Sequence, residues 1–247
     1  MRYTKKNMKK HVWTKKQVKS ARVPNYSKLY VIRPALLPLF RNIKNKRILE
    51  LGCGNGFWLK ILASKGAECS GIDKSKNQIS VAIEENKKSR YKINYHLGDI
   101  ANLKRFSKKF DYILLEKVLL EIPKLSKIKR VLKEAYKVTK KEGYIIVSDL
   151  HPMTPNCNLA NVRTSKDYSY FKSGSPIQII SKRVDGKETY YTDFHWTFED
   201  LCDAITNAGF KIIKVLEPRP SKTIMKKYSY LRYRKDSPLA LIIKAIK

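Results

Sequence analysis

Three glycines and two acids stand at the ends of apolar segments, with a spacing that could hold a nucleoside. Gly52, Gly54 and Gly56 follow a short apolar run and precede a helical pattern. Glycine accepts backbone angles that a Cβ forbids, and it lets a ligand lie against bare backbone at the start of a helix. Asp73 ends the next apolar segment, where a carboxylate can accept two hydrogen bonds from a ribose diol, and Asp99 ends the one after it.

The chain that positions these residues alternates strand patterns with helix patterns. Strands are predicted over 47–51, 68–72, 93–97, 110–115 and 143–150, and helices over 57–65, 76–88 and 123–139. The nearly continuous apolar character of 110–115 is typical of a central parallel strand. Open α/β sheets bind ligands at the carboxyl ends of their strands, so the glycines and acids are expected along one edge. Glu116, directly after the fourth strand, is a further candidate for binding there.

An insertion of about 45 residues without a long helix follows the fifth strand, and a connection of this length is often functional. Its second half, 176–194, predicts a β-hairpin with its turn at Asp185-Gly186. We expect it to form a lid or platform over the site. A helix from Thr197, a sixth strand over 210–216 and a seventh, antiparallel strand over 239–246 at one edge complete the pattern.

Two histidines flank the insertion and are candidates for a catalytic base at the mouth of the cleft. His151 follows the fifth strand, and His195 precedes the helix that begins at Thr197. An imidazole titrates near neutral pH and can accept a proton from a hydroxyl or an ammonium group. A histidine beside proline or tryptophan, as each of these is, can equally be a packed structural residue, and both interpretations stay open.

Composition predicts one basic α/β domain in 247 residues. No run of about 18 apolar residues is present, and the first residues lack the apolar core of a signal peptide, so we expect a cytoplasmic protein without a membrane partner. The four cysteines are widely separated and form no cluster with histidine. The sequence therefore predicts reduced thiols, no disulfide framework and no metal site.

The formal charge of +32 has two interpretations. A basic excess of this size raises affinity for RNA and other polyanions. Lysine clusters within 1–22 form a basic arm, and a tail over 226–234 mixes Lys and Arg with tyrosines that could stack on bases. Against this, the excess is mostly Lys, spread along the chain and accompanied by abundant Ile, Asn and Tyr, as AT-rich coding produces. RNA binding is therefore possible, and the oligomeric state stays open.

The motifs resemble those of a known family. Residues 50–56 are Glu-Leu-Gly-Cys-Gly-Asn-Gly, residues 71–75 are Gly-Ile-Asp-Lys-Ser, and residues 97–100 are Leu-Gly-Asp-Ile. In this order they are similar to the successive motifs of the class I S-adenosylmethionine-dependent methyltransferases, over about 43–220. Glu50, two residues before the first glycine, matches this family and departs from dinucleotide dehydrogenases.

The resemblance implies a fold and a cofactor. The fold is α/β, with a Rossmann-like, doubly wound, mostly parallel seven-stranded sheet and an inserted lid or β-hairpin after the fifth strand. The cofactor is S-adenosyl-L-methionine (SAM). The expected organisation is a basic arm with cofactor-covering helices over 1–45, a SAM-binding core over 46–150, a lid or substrate element over 151–196, and a completing helix and strands over 197–247.

The resemblance also implies roles for single residues. Asp99 would accept a hydrogen bond from the adenine amine, and Ile100 would pack on the ring. Glu116 would bind the amino acid end of the cofactor or the substrate, and Tyr26 or Tyr30 would touch the methionine moiety unless they are ordinary core residues. The predicted cofactor site comprises Tyr26, Tyr30, Glu50, Gly52, Cys53, Gly54, Asn55, Gly56, Asp73, Lys74, Asp99, Ile100 and Glu116.

Three functions are compatible with these patterns. The leading one is methyl transfer by in-line displacement to an O or N atom of a small-molecule or biosynthetic acceptor. The second is an RNA-modifying methyltransferase that uses the basic arm and tail, and the third is a non-catalytic SAM-binding or RNA-binding scaffold. The region after the fourth strand reads Leu-Glu-Lys-Val, not the Asn-Pro-Pro-Tyr of adenine and cytosine amino methyltransferases, which argues against that chemistry.

Overall fold

The structure is a computed structural model that describes Val18 and residues 25–157, 162–164, 167–182 and 184–247. The described strands are β1 (Arg47–Leu51), β2 (Glu68–Asp73), β3 (Ile93–Leu97), β4 (Phe110–Glu116), β5 (Thr139–Leu150), β6 (Val162–Thr164), β7 (Pro176–Lys182), β8 (Glu188–Phe194), β9 (Lys211–Leu216) and β10 (Ala240–Ile246). The described α-helices are α1 (Arg33–Leu36), α2 (Phe57–Ala63), α3 (Lys76–Lys87), α4 (Leu125–Val138), α5 (Phe198–Thr206) and α6 (Lys222–Lys227). Shorter helical turns of 3₁₀ or π type cover Lys28–Ile32, Leu37–Leu39, Leu119–Glu121, Thr154–Cys157 and Ser229–Arg234.

Seven strands form one sheet in the order β3-β2-β1-β4-β5-β10-β9. The pairs from β3 to β5 are parallel, whereas β10 is antiparallel to both of its neighbours. This confirms the Rossmann-like, mostly parallel seven-stranded sheet. The chain starts at the middle strand β1, runs outward to β3 and then crosses back to β4. The crevice at such a reversal of strand order is where open α/β sheets bind ligands.

The last strand does not lie where the sequence pattern put it. β10 was expected at an edge of the sheet, but it is paired on both sides, between β5 and β9. Its Ala-Leu-Ile-Ile-Lys-Ala-Ile sequence is almost wholly buried, which needs neighbours on both sides. The edge is β9, where Lys211 and Lys214 are exposed, and charged side chains protect an unpaired edge from further strand pairing.

Alternation along the strands divides the core into two layers, one on each face of the sheet. Leu49 and Leu51 of β1 pack with α4 and α5, whereas Ile48 packs with α2 and the segment before β1. Helix α4 buries Ile128, Val131, Leu132, Ala135 and Val138, spaced three or four residues apart on one face. Helix α5 begins at the predicted cap: Thr197 and Asp200 form a capping box.

The insertion after β5 forms a separate antiparallel sheet in the order β6-β7-β8. The predicted hairpin is present as β7 and β8, and Gly186 in its turn has φ +80°, a left-handed conformation that favours glycine. β6 is only three residues long, and the sequence analysis did not predict it. The insertion therefore adds a three-stranded layer of its own.

The basic arm over 1–22 lies outside the described residues except for Val18, whose side chain is buried. None of the helices in the described part of the chain combines the length and apolar character that crossing a bilayer requires.

Candidate functional site

A cleft of about 250 Å³ opens at the carboxyl ends of β1, β2 and β4. Ten of the thirteen residues predicted to bind the cofactor line it, so the sequence motifs do converge on one place. They are Glu50, Gly52, Cys53, Gly54, Asn55, Asp73, Lys74, Asp99, Ile100 and Glu116. The other wall comes from the turn after β4, from Leu150 and from the inserted sheet, which contributes Ile179, Tyr191 and Asp193.

The glycine turn is held to the tip of β2 and leaves room in front of it. The backbone N–H of Gly54 donates to Oδ2 of Asp73 at 2.9 Å, and that of Gly52 donates to the carbonyl of Ile72 at 2.8 Å. Gly54 has φ +51°, and a Cβ placed on it would meet nothing closer than the side chain of Gln78 at 3.8 Å. A side chain at this position would occupy the cleft itself, so glycine keeps the backbone accessible to a ligand.

Gly56 has a different reason to be glycine. It does not line the cleft, and a Cβ on it would lie 2.0 Å from the hydroxyl oxygen of Tyr95. Its φ of +74° is also in the left-handed region. The missing side chain of Gly56 thus makes space for Tyr95, and its contact with the cofactor stays a prediction.

Asp73 is fixed by backbone donors on both of its oxygens. Oδ1 accepts from the N–H of Ser75 at 2.8 Å, and Oδ2 accepts from Gly54. Burial raises the pKa of this carboxyl, while the two backbone hydrogen bonds oppose the rise. A carboxylate oxygen can accept more than one hydrogen bond, so the side chain is oriented and still able to bind a diol.

Asp99 lies at the more open end of the cleft. Its side chain is about half exposed, at 53%, and Oδ2 accepts from the ammonium of Lys127 at 2.9 Å. Burial alone raises its pKa, but the N–H of Ala101 and Lys127 outweigh that effect and lower it. Asp99 is therefore ionised and oriented at neutral pH, next to Ile100.

Two buried acids and one lysine occupy the deep end of the cleft. Glu50 is 2% exposed, and its Oε2 accepts no hydrogen bond from the described residues. Burial raises its pKa well above the ordinary value, with Lys28 opposing. Oε2 of Glu116 accepts from Nζ of Lys28 at 3.1 Å. Burial raises the pKa of Glu116, but Lys28 and then Lys117 outweigh burial and lower it. A cationic group of a ligand would satisfy the free oxygen of Glu50.

The N-terminal segment reaches the cleft through residues that the sequence analysis missed. Asn25 and Lys28 line it, and Nζ of Lys28 lies 4.5 Å from the centre of the Phe57 ring. Tyr26 and Tyr30 do not line it. They lie in an aromatic cluster with Tyr228, which stacks on Tyr30 at a centroid distance of 4.6 Å and lies 5.0 Å from Tyr26.

The contact of Tyr26 or Tyr30 with the cofactor stays a prediction, since neither residue lines the cleft. The reason is helical spacing: Tyr26 and Tyr30 are four residues apart and share one side of their segment, and Lys28 lies between them on the other. The hydroxyl of Tyr228 donates to that of Tyr30 at 2.9 Å, so the cluster joins the N-terminal segment to the region after α6.

Neither histidine lies at the mouth of this cleft, contrary to expectation. Both line a separate cavity of about 20 Å³. Nε2 of His151 is 2.8 Å from Oε1 of Glu217, and its Nδ1 accepts from the N–H of Met153 at 3.1 Å. Nε2 of His195 is 2.7 Å from the carbonyl of Tyr170. Burial lowers the pKa of both imidazoles. These contacts fit the structural interpretation, and neither ring lines the cleft.

The wall on the side of the inserted sheet carries the acid Asp193, which is 7% exposed. Burial raises its pKa well above the ordinary value, Glu121 adds to the rise, and Lys117 opposes it. Lys117 has φ +56°, an uncommon conformation for a residue other than glycine, and such strain is concentrated at functional sites. Among the described residues, no group of three or more His, Cys, Asp or Glu side chains is arranged to hold a metal ion.

The donor set fits an adenosine that carries an amino acid. Asp73 can bind the diol, the backbone at Gly54 is accessible, and the free oxygen of Glu50 suits an ammonium group. The sheet order and this site define a class I S-adenosylmethionine-dependent methyltransferase. Residues 42–200 match the family model described as "Methyltransferase domain", and the chain belongs to that family.

Individual relatives agree with this assignment. The chain is 35% identical over 207 residues to the ubiquinone biosynthesis O-methyltransferase of Pelagibacter ubique (strain HTCC1062), covering 77% of this chain and 82% of that protein. Solved structures of S-adenosylmethionine-dependent methyltransferases share the fold. The one from Mesorhizobium loti has a TM-score of 0.69 at 21% identity, and a putative one from Listeria monocytogenes has 0.66 at 23%. Each comparison covers 87% of this chain and 96% of the other.

Proposed function

We propose that this methyltransferase methylates a hydroxyl oxygen of a small, partly apolar molecule. The observation that carries the proposal is the second half of the cleft, which the inserted sheet closes and which is lined largely by apolar side chains. These are Leu120, Ile122, Pro123, Leu150 and Ile179, with Tyr191 beside them. The name of the Pelagibacter relative supports an oxygen acceptor and makes a hydroxyl compound of ubiquinone biosynthesis the first candidate.

In this proposal the half of the cleft beside the glycine turn binds SAM. Glu50 receives the ammonium group, Asp73 the ribose diol and Asp99 the adenine amine, while Ile100 packs on the ring. Cys53, Asn55 and Lys74 complete the wall around the glycine turn, and Gln78 faces Gly54 from α3. When bound, SAM supplies an electrophilic methyl group on a sulfonium.

The main task of the protein in this proposal is to position SAM and the acceptor next to each other in one cleft. Methyl transfer by in-line displacement needs the acceptor oxygen at ~3 Å from the methyl carbon, in line with the leaving sulfur, and holding that geometry removes much of the barrier. The walls from the inserted sheet and from the turn after β4 exclude water and orient the acceptor. A hydroxyl must also lose its proton, and neither histidine is among the residues that line the cleft.

The experiment is a panel of small acceptors incubated with the protein and methyl-labelled SAM. Catechols, simple phenols, alcohols, carboxylates and amines of similar size are compared, and mass spectrometry locates the transferred methyl group. The expected result is methylation at a hydroxyl oxygen, lost in Asp73→Ala. Methylation confined to amines, or to RNA added in the same assay, would overturn the proposal.

The RNA-modifying alternative remains a prediction. Its basic arm lies outside the described residues, and Tyr228 of the tail packs on Tyr30. The cytoplasmic location and the oligomeric state also stay predictions.

A further inference from the structure

Asp193 lies on the inner face of the inserted sheet, directed into the acceptor half of the cleft. Ile177 is directly opposite it across the β7–β8 pair, and Ile179 is opposite Tyr191 two residues away. Residues opposite each other in an antiparallel pair, and residues two apart in a strand, share a face. The inner face therefore presents two isoleucines, one phenol and one carboxyl, of which Ile179, Tyr191 and Asp193 line the cleft.

The surroundings of Asp193 disfavour its charged form. The side chain is 93% buried, since 7% is exposed, and it accepts no hydrogen bond from the described residues. Of the charged groups around it, Glu121 on the turn after β4 and Asp149 on β5 raise its pKa, and Lys117 at the end of β4 lowers it. Tyr191 is its polar neighbour on β8. A buried carboxyl without a donor, facing a cleft, is available to a ligand.

The other acids of the cleft have partners or lie elsewhere. One oxygen of Glu116 is paired with Lys28, Asp73 is held by two backbone donors, and Asp99 is paired with Lys127. Glu121, which also lines the cleft, is only partly buried. Glu50 lies in the half proposed to bind SAM, next to the glycine turn. Asp193 is thus the acid of the described cleft that combines burial, lack of a donor and a position among the acceptor-binding side chains.

We propose that Asp193 accepts the proton of the acceptor hydroxyl during methyl transfer, which rests on the proposed function. The O–H bond breaks and its proton moves to the carboxylate of Asp193, while a lone pair of the oxygen forms the new O–C bond. The C–S bond of the donor breaks, and its electron pair stays on sulfur as a neutral thioether. The carboxylic acid of Asp193 then returns the proton to water when the products leave.

The environment suits this task. A carboxylate of ordinary pKa is a weak base toward a hydroxyl, and general-base catalysis improves as the pKa of the base approaches the working pH. Burial and Glu121 raise the pKa of Asp193 in that direction, and Lys117 opposes part of the rise. Because the ionised form is the active one, kcat/KM falls as the pH falls through the raised pKa of Asp193.

The test compares Asp193→Asn with the wild type on a series of phenols of decreasing pKa. Positioned bases contribute about 10²–10⁴-fold, so Asp193→Asn is expected to lower kcat by about that factor for weakly acidic phenols. It should also abolish the fall of kcat/KM at low pH, which is called the acidic limb of the pH profile. The loss should shrink for acidic phenols, which ionise without help. Calorimetry should give a Kd for SAM that differs less than about twofold from wild type, since the donor half is untouched.

Two further variants separate catalysis from structure. Asp193→Glu keeps a carboxyl, so it should retain the acidic limb and part of the wild-type kcat. Glu121→Gln removes a like charge and should move that limb to lower pH. An equal loss for all phenols in Asp193→Asn, or an unchanged limb, would overturn the inference. If the wild type methylates amines but no hydroxyl, the proposed function itself fails. The acceptor panel with the wild type detects that failure without any Asp193 variant.

Discussion

Nζ of Lys28 lies 3.1 Å from Oε2 of Glu116, joining the segment before α1 to the end of β4 across the deep end of the cleft. The Lys28 side chain is 21% exposed and that of Glu116 5%, so the pair is largely shielded from water. Coulomb attraction is stronger in such a place than at the surface. The same ammonium also opposes the rise in the pKa of Glu50.

Replacing Lys28 by Met should destabilise the protein. The substitution keeps the apolar stem beside Phe57 but leaves Glu116 without its cation, and losing a partner of a charged, buried hydrogen bond costs about 2–3 kcal/mol. Urea unfolding measures the change. Lys60→Met is the matched control, because the Lys60–Glu85 pair is more exposed, at 31% and 29% of the two side chains, and should contribute less than the Lys28 pair. Equal losses in the two variants would contradict the importance of the Lys28 pair.

Binding of SAM should release protons through Glu50. In the free protein the raised pKa of Glu50 favours its protonated form, whereas an ammonium group beside the free oxygen favours the carboxylate and lowers that pKa. Affinity for SAM should therefore rise as the pH rises through the raised pKa of the free protein. Calorimetry in buffers of different ionisation enthalpy counts the protons. Glu50→Gln should abolish the release, and a binding enthalpy independent of the buffer in the wild type would refute this account.

Asp73→Ala should weaken SAM binding by at least about 10²-fold. Two hydrogen bonds from the ribose to a charged acceptor would be lost, each contributing about 1.5–3 kcal/mol, and the Gly54 turn would lose its anchor. Asp73→Asn is the control, because it keeps an acceptor oxygen and should lose less. Isothermal calorimetry gives both affinities. Unchanged binding in the alanine variant would place the nucleoside elsewhere.

The two glycines of the turn should respond differently to alanine. Gly54→Ala fills the space in front of the backbone, so SAM affinity should fall while stability drops only by the left-handed strain of about 1–2 kcal/mol. Gly56→Ala collides with Tyr95 and should cost about 3 kcal/mol of stability. Tyr95→Phe removes the colliding oxygen and should restore part of that loss. If Tyr95→Phe instead restored the stability of Gly54→Ala, the glycine that makes space for Tyr95 would be Gly54 and not Gly56.

The charge of +32 gives a prediction about RNA. If the arm and tail grip a phosphate backbone, the logarithm of the affinity for single-stranded RNA should fall steeply with the logarithm of the salt concentration, because counterions are released on binding. Fluorescence anisotropy at several salt concentrations measures the slope. A flat slope would support the interpretation of the lysines as a coding bias.

Much of the parallel half of the fold could be predicted because its signals are local. A strand that ends in a glycine turn, and acids at successive strand ends, specify both the sheet and the donor half of the site. The position of β10 could not be read in the same way, because whether an apolar strand is at an edge depends on its neighbours. The apolar residues of β10, interrupted only by Lys244, are compatible with burial on both sides, and the lysines of β9 are compatible with an edge.

The missed site residues share one property: their partners are distant in sequence. Lys28 is one of 53 basic residues, and only its contact with Glu116, 88 positions away, distinguishes it. Asp193 reads as one polar position in an alternating hairpin strand. The histidines were attractive as titratable groups, but the fold buries both rings around Leu201 and Trp196. Which way the side chains of the inserted segment face depends on the tertiary structure, so local sequence patterns do not predict it.

The inserted sheet supplies Ile179, Tyr191 and Asp193 to one wall, while the glycine turn and the strand-end acids form the other. In the proposed function, donor and acceptor recognition thus belong to separate parts of a single polypeptide. Replacing the β7–β8 hairpin by that of a related protein would therefore change which acceptors bind while SAM binding stays the same. New acceptor specificities can arise in this way by exchange of one structural element.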